Sequence, residues 1–335
     1  MSKSSQLITI NTPIAITNKI FEEAADEITT ATNMLLIASS CLRISYLIGG
    51  KHNELSNIRT SVYTYAKLYD DKIVPFTRTA VGEIKTFCES PGINKHSDFE
   101  KFLTKISYLK NAASENVILC EIILAFHKAI LIEFKRVQDD ATKLTLGLEL
   151  DEKFKERRKR ISFSKFDWAS GLALIPEARE LKNLPQALIE EIKAEQIVPL
   201  EDNSEIAAVI GIMSPLTMSI KNYTSSLDKV SGFFNKLSEN LETLETKIKK
   251  NIFNNEEGEF VFDIIQGKAG DIWNACDTYI GKLMSWSTNI NCINEVYDND
   301  KANEWVRKTI EAAKIQTKFD KFLEDRGSLR RKMLG

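Results

Sequence analysis

Apolar residues recur at spacings of three and four along most of this chain, which is the pattern of one face of an α-helix. Between residues 13 and 48 the repeat consists of Ile20, Ala24, Ile28, Ala31 and Leu35. Gly49-Gly50 is expected to end this helix. A second helical stretch begins near Leu55, with a break or kink predicted at Pro75 and an end before Pro91-Gly92. The first hundred residues are therefore predicted to be helical.

The longest helix is predicted in residues 93–146, which contain neither Gly nor Pro. The motif Ser97-Asp98-Phe99-Glu100 matches a capping box and predicts the start of this helix. Its later part carries a heptad seam formed by Ile123, His127, Ile130, Phe134, Val137, Ala141, Leu144 and Leu148. A second seam is formed by Leu227, Val230, Phe234, Leu237, Leu241, Leu244 and Ile248. Because a heptad repeat keeps one face turned to a partner helix, the two seams predict an antiparallel coiled-coil pair.

The chain between the two seams is rich in proline. Four of the seven prolines lie there, at positions 176, 185, 199 and 215. Since proline disrupts helices and favours turns, this part is predicted to form a head at the tip of the pair. Pro215 is expected to interrupt the apolar stretch 206–220.

From about Glu259 the chain is predicted to form two more helices. One face of the first consists of Phe262, Ile265, Ile272, Cys276 and Tyr279, and the last helix includes Trp305, Ile310 and Phe319. Asp298-Asn299-Asp300 marks the turn between them. Residues 326–335 are expected to be a frayed basic tail.

The composition supports long helices, because only 14 glycines and 7 prolines in 335 residues leave few turn formers for a many-stranded fold. We predict an all-α fold: an elongated helical bundle with a long antiparallel coiled-coil stalk and a mid-chain head. Residues 1–100 and 253–335 would form a helical body. Residues 101–150 and 220–252 would form the stalk, and residues 151–219 the head.

The net charge of −2 argues against nucleic acid as a partner, because it provides no overall positive field. Five scattered cysteines never form a CxxC motif and are predicted to be buried thiols: Cys41, Cys88, Cys120, Cys276 and Cys292. The N-terminal residues do not match a signal peptide, and no apolar stretch has the length and low charge of a resident membrane span. We therefore expect a protein made soluble in the cytoplasm and, if it leaves the cell, released by a non-classical route.

The sequence shows no catalytic, metal-binding or cofactor-binding motif, so we predict neither an enzyme nor a cofactor. His52, His96 and His127 lack ligand spacing such as HExxH, and the GKAGD fragment at 267–271 lacks the rest of a phosphate-binding loop. His127 lies on the apolar seam. It is interpreted as a packed or register-setting residue, with a pH switch as the alternative.

The head begins with a cationic block, in which six basic residues and one acid occupy positions 153–160. Aromatic residues follow it directly, and this combination is typical of a membrane interface. The predicted membrane-contact residues are Lys159, Arg160, Phe163, Phe166, Trp168, Leu172, Leu174 and Ile175. A head folded against the protein's own helices and a head that binds a protein remain alternatives.

The layout resembles the α-helical pore-forming toxins, the group that includes cytolysin A and the helical enterotoxin components. It is most similar to the smaller component of the two-part XaxAB/YaxAB-type cytotoxins. The resemblance rests on the two seams, Ile123 to Leu148 and Leu227 to Ile248, and on the head from about Asp151 to Ser219. It implies assembly with a second toxin component of similar helical architecture into a hetero-oligomeric ring that permeabilises a target-cell membrane.

Some members of that group carry an obvious hydrophobic hairpin in the head, and this chain does not. Whether the chain inserts into lipid or assists a partner therefore stays open. The rival hypothesis is a soluble helical scaffold or adaptor whose tip binds a protein partner.

Overall fold

A computed structural model describes residues 16–47, 56–90, 98–149, 205–250, 254–286 and 297–335. Within these ranges the chain is helical and contains no β-strand, which confirms the predicted all-α fold. The helices are α1 (Asn18–Leu47), α2 (Ser56–Leu68), α3 (Val74–Glu89), α4 (Phe99–Glu149), α5 (Glu205–Lys249), α6 (Asn255–Trp286), α7 (Asn299–Ala312), α8 (Gln316–Glu324) and α9 (Gly327–Leu334). A π-helical turn, Tyr69–Ile73, joins α2 to α3.

The two longest helices form the predicted antiparallel pair. They contain 51 and 45 residues, which corresponds to lengths of about 77 and 68 Å. Three side-chain hydrogen bonds join them at different heights: Ser107 to Glu245 (2.5 Å), Ser114 to Ser238 (2.7 Å) and Gln138 to Ser214 (2.9 Å). Residue numbers rise along one helix as they fall along the other, so α4 and α5 run in opposite directions.

Both heptad seams are buried where their side chains are described. On α4 these are the six positions from Ile123 to Ala141, while the side chains of Leu144 and Leu148 lie outside the described set. On α5 the six positions from Leu227 to Leu244 are buried, and Ile248 is partly buried. The 3.5-residue repeat thus identifies the contact faces correctly.

The remaining helices cover this pair and share its core. Phe21 of α1 meets Phe233 of α5 edge to face, with ring centroids 4.9 Å apart. On the outside, α6 forms ion pairs with α1 and α3, from Lys268 to Glu22 and from Lys85 to Asp277, both at 2.7 Å. One continuous hydrophobic core therefore runs through the body helices and the α4/α5 pair.

The division into body, stalk and head remains a prediction, because residues 150–204 lie outside the described ranges. Residues 205–219, assigned to the head from sequence, belong to the same continuous helix as the rest of α5. The expected interruption at Pro215 is wrong, since the helix continues through it. Met213, Leu216 and Ile220 are buried around this turn, and their packing offsets the hydrogen bond that proline removes.

Two predicted features lie at slightly different positions in the structure: the start of α4 and the break near Pro75. The N-cap of α4 is Asp98, whose Oδ1 accepts the backbone N–H of Lys101 at 2.9 Å, so the cap lies one residue later than the predicted Ser97. Near Pro75 the predicted break is a π turn that ends just before it, with Pro75 in the first turn of α3. Proline fits there because the first turn of a helix has no partner for its N–H groups.

The C-terminal prediction is wrong in two respects. The last segment forms three helices, α7 to α9, instead of one. Residues 326–335 are not a frayed tail, because most of them form α9 and its Met333 is fully buried. Few apolar residues mark this segment, and its order comes from contacts with distant parts of the chain.

Candidate functional site

The predicted membrane-contact residues all belong to the head, in the part of the chain that the structure does not describe. They are Lys159, Arg160, Phe163, Phe166, Trp168, Leu172, Leu174 and Ile175. Their role therefore remains a prediction. What the structure describes is the helical platform that carries this segment.

The last residue of α4 and the first residue of α5 lie at the same end of the helical pair. Gln138 donates to Ser214 at 2.9 Å and accepts from Thr217 at 3.4 Å. Continuing this antiparallel register brings Glu149, the last residue of α4, level with Glu205, the first residue of α5. The two residues to which segment 150–204 is attached are consequently close to the same end of the pair.

Hydroxyl groups reinforce α5 next to the head. Pro215 has no N–H to donate within the helix. Ser219 donates to the Pro215 carbonyl at 2.6 Å, and Thr217 donates to the Ser214 carbonyl at 3.0 Å. The carbonyls of Pro215 and Ser214 both lie within the continuous helix, so these side-chain bonds add to its backbone bonds and do not replace the one that Pro215 removes.

A buried polar cluster lies midway along the pair and joins four helical elements. His127 Nδ1 lies 2.8 Å from the Ile123 carbonyl, so it carries the proton and donates, while Nε2 accepts from the Tyr69 hydroxyl at 2.9 Å. The Tyr223 ring packs against the imidazole, with ring centroids 4.3 Å apart. The Tyr223 hydroxyl oxygen is 2.9 Å from the Tyr279 hydroxyl oxygen. Burial lowers the pKa of His127 to about 4. The packed-histidine interpretation is confirmed.

The described residues hold no group of three or more His, Cys, Asp or Glu side chains arranged to bind a metal ion. Cys41, Cys88, Cys120 and Cys276 are buried free thiols, as predicted, and Cys292 lies outside the described ranges. Burial raises the pKa of Cys41 and of Cys276 to about 12. These two thiols are therefore protonated and unreactive at neutral pH.

A charged cluster joins the pair near the start of α4 and the end of α5. Glu245 of α5 accepts from Lys110 at 2.7 Å, from Lys249 at 2.8 Å and from Ser107 at 2.5 Å. These donors, Lys110 first, lower the pKa of the Glu245 carboxyl to about 2. Since Ser107 and Lys110 belong to α4, the cluster ties the two long helices in one register.

A second charged site lies in the π turn, and no pattern in the sequence predicted it. Lys72 is only 3% exposed, and its ammonium donates to the Asn303 side-chain oxygen at 2.8 Å and to the Lys332 carbonyl at 2.5 Å. Asp71 adds a carboxylate oxygen at 3.3 Å. In sequence, Asp70-Asp71-Lys72 is a charged segment within the second predicted helical stretch. Nothing in the local pattern relates it to residues more than two hundred positions away.

No helix in the described ranges combines the length and the apolar character needed to cross a bilayer. Large exposed apolar side chains there are Tyr108, Ile132 and Phe260. Tyr108 and Ile132 are far apart on α4, and Phe260 belongs to α6; single exposed apolar side chains of this kind are ordinary on a protein surface.

In three dimensions, the chain is similar to SmhB from Serratia marcescens, whose structure is that of the soluble form of a component of the tripartite α-pore-forming toxin Smh. The TM-score is 0.51, and the match covers 79% of this chain and 92% of SmhB at 12% sequence identity. At that identity the similarity establishes a common fold. No protein-family model and no curated protein matches the sequence.

Proposed function

We propose that this chain is one component of an α-helical pore-forming toxin and that it acts at a target-cell membrane. The observation that carries the proposal is the similarity of fold to SmhB, which extends over 79% of this chain and 92% of that toxin component. A fold alone does not define a function. Here it coincides with a head whose composition favours a membrane interface.

The head would make the first contact with lipid. Lys159 and Arg160 would bind anionic headgroups, and the apolar residues Phe163, Phe166, Trp168, Leu172, Leu174 and Ile175 would enter the interface below them. The α4/α5 pair supports this role because α4 ends at the level where α5 begins, so both attachment points of the head segment are at one end of the pair. A contact surface at a tip can reach a membrane while the bundle stays in water.

The chain would act with partner components in a hetero-oligomeric ring. A two-part assembly of the XaxAB/YaxAB type is one form of this proposal. The toxin that contains SmhB is tripartite, so a third component is the other form. Neighbouring genes that encode further long-helix proteins would supply the candidates for a mixing experiment.

Flotation with anionic liposomes tests the first step. Purified protein, with and without mild detergent pretreatment, is floated on a density gradient, and Trp168 fluorescence is read as the difference between wild type and a Trp168→Phe variant. We expect the protein to float and the Trp168 emission to shift to the blue as the indole leaves water.

The variant control is needed because the chain contains four tryptophans, including Trp273 and Trp305 in the body. Protein that stays in the soluble fraction in every condition, alone and mixed with the products of adjacent genes, would contradict the proposal. Recovery of a tightly bound protein at the head instead would favour the scaffold hypothesis.

A further inference from the structure

The π turn between α2 and α3 is a place where the backbone departs from regular α-helical geometry. The chain keeps right-handed helical geometry at Leu68 and Val74 on either side of Tyr69–Ile73, so α2, the turn and α3 form one helical path. A π turn accommodates one residue more than an α-helical turn, which rotates α2 by about 100° relative to α3. Such turns persist where surrounding contacts hold them.

Contacts hold this turn from two sides. On one side, the Tyr69 hydroxyl donates to His127 of α4. On the other side, the Lys72 ammonium is buried against α7 and α9, where it donates to the Asn303 side chain and to the Lys332 carbonyl. Lys72 is the one buried lysine or arginine in the described ranges.

The Lys332 carbonyl can accept from Lys72 because of its position at the C-terminal end of α9. Lys332 lies in the last turn of α9, where backbone carbonyls have no intrahelical partner and the helix dipole is negative. The buried ammonium of Lys72 therefore caps α9. Arg307 does the same from outside, donating to the Leu334 carbonyl at 2.7 Å.

Apolar packing adds a third anchor for α9. Met333 is fully buried beside these polar contacts, and Leu329 and Leu334 pack partly against the core. If α9 left, the Lys72 ammonium would lose the Lys332 carbonyl and keep only Asn303 and Asp71, and the loss of a partner from a buried cation is unfavourable. The geometry thus makes the position of α9 and the conformation of the π turn depend on each other.

We propose that α9 and the buried Lys72 form a latch that holds the π turn in place, and that opening this latch frees α2 from the α4/α5 pair. α2 contacts α4 through the Tyr65 and Phe134 rings, whose centroids lie 6.3 Å apart. If the proposed toxin function holds, the opening is a step in the change from the soluble form to the membrane-bound form. The latch itself does not depend on that function.

Hydrogen exchange measured by mass spectrometry on the full chain in solution tests the latch. In the variant Met333→Asp, amides of residues 56–73 should exchange at least about tenfold faster, while α6 keeps its wild-type protection. The matched control, Ser328→Asp, adds the same charge at an exposed position of the same helix and should leave all of these rates unchanged. Unchanged exchange in 56–73, or equal acceleration in α6, would overturn the proposal.

A second variant tests the coupling from the other side and protects against a misfolded Met333→Asp. Lys72→Met removes the cation and keeps a chain of similar length. The amides of α9, residues 327–334, should then exchange faster although nothing in α9 was changed. Wild-type protection of α9 in a folded Lys72→Met protein would refute the latch.

Vesicle leakage separates this proposal from the toxin function. With a functional set of components, Met333→Asp should shorten the lag before leakage relative to Ser328→Asp. If wild type itself causes no leakage, the toxin function fails while the exchange result still decides the latch. If wild type causes leakage and the lags are equal, latch opening is not a step in membrane attack.

Discussion

At the scale of single residues, a few buried polar side chains favour one arrangement of the helices in this bundle over others. His127 occupies a core position of the α4 seam, where a heptad repeat normally has an apolar residue. Both of its ring nitrogens are nevertheless satisfied, by the Ile123 carbonyl and the Tyr69 hydroxyl. A satisfied polar group in a core favours one arrangement of its neighbours over others, because any shift would leave it without a partner.

The lowered pKa of His127 predicts a pH dependence of stability. Its pKa falls from 6.5 to about 4 on folding, so between these pH values the unfolded chain binds more protons than the folded one. The free energy of unfolding should therefore decrease as the pH is lowered from 6.5 to 4, by about 3 kcal/mol in total from this residue.

Urea unfolding of wild type and of His127→Gln at pH 7 and pH 4.5 checks this prediction. Glutamine can keep a hydrogen bond but does not titrate, so the variant should lose less stability between the two pH values. All other titrating groups are common to both proteins and cancel in the comparison. Equal losses would show that His127 does not titrate in this way.

At the scale of helices, the apolar seams alone would allow α4 and α5 to slide by a whole heptad. Polar contacts near both ends oppose this: Glu245 with Lys110 and Ser107 at one end, and Gln138 with Ser214 toward the head. Polar residues that set register in this way are well attested in coiled coils.

Replacing Glu245 by Gln should lower the free energy of unfolding at pH 7 by about 1 kcal/mol, because charge-assisted bonds become neutral ones. Folding lowers the pKa of Glu245 from 4.5 to about 2, so the stability that its carboxylate contributes is lost as the pH falls from 4.5 to 2. The difference between wild type and Glu245→Gln should therefore vanish below pH 2. Glu242→Gln, at an exposed position three residues earlier, is the control and should be neutral. Equal effects of the two changes in urea unfolding would contradict the prediction.

At the scale of the whole molecule, one core holds the body helices against the α4/α5 pair. The last residue of α4 and the first residue of α5 lie at the same end of this pair. Under the proposed function, a membrane contact at that end would leave the shared core intact. Gln138 and Pro215 lie near that end of the pair.

The proposed lipid contact predicts a selective loss of activity. The double variant Phe166→Ser, Trp168→Ser should abolish dye release from vesicles, because aromatic side chains supply much of the interfacial binding energy. Circular dichroism should show unchanged helix content. Phe260→Ser is the matched control, since Phe260 is an exposed aromatic residue at the far end of the bundle and should keep full activity. Undiminished release by the double variant would show that these aromatics are not the lipid contact.

Sequence alone determined the long helices, the two seams and the antiparallel pair, because the apolar periodicity follows from local geometry that every α-helix shares. It also marked the head as the candidate membrane contact, which stays a prediction. The tertiary structure alone decided that Lys72 is buried, that residues 327–334 form a docked helix, and which hydroxyl pairs with His127. Lys72 and Lys332 are 260 positions apart in sequence. Contacts at such separations depend on how whole helices pack, and no local pattern encodes them.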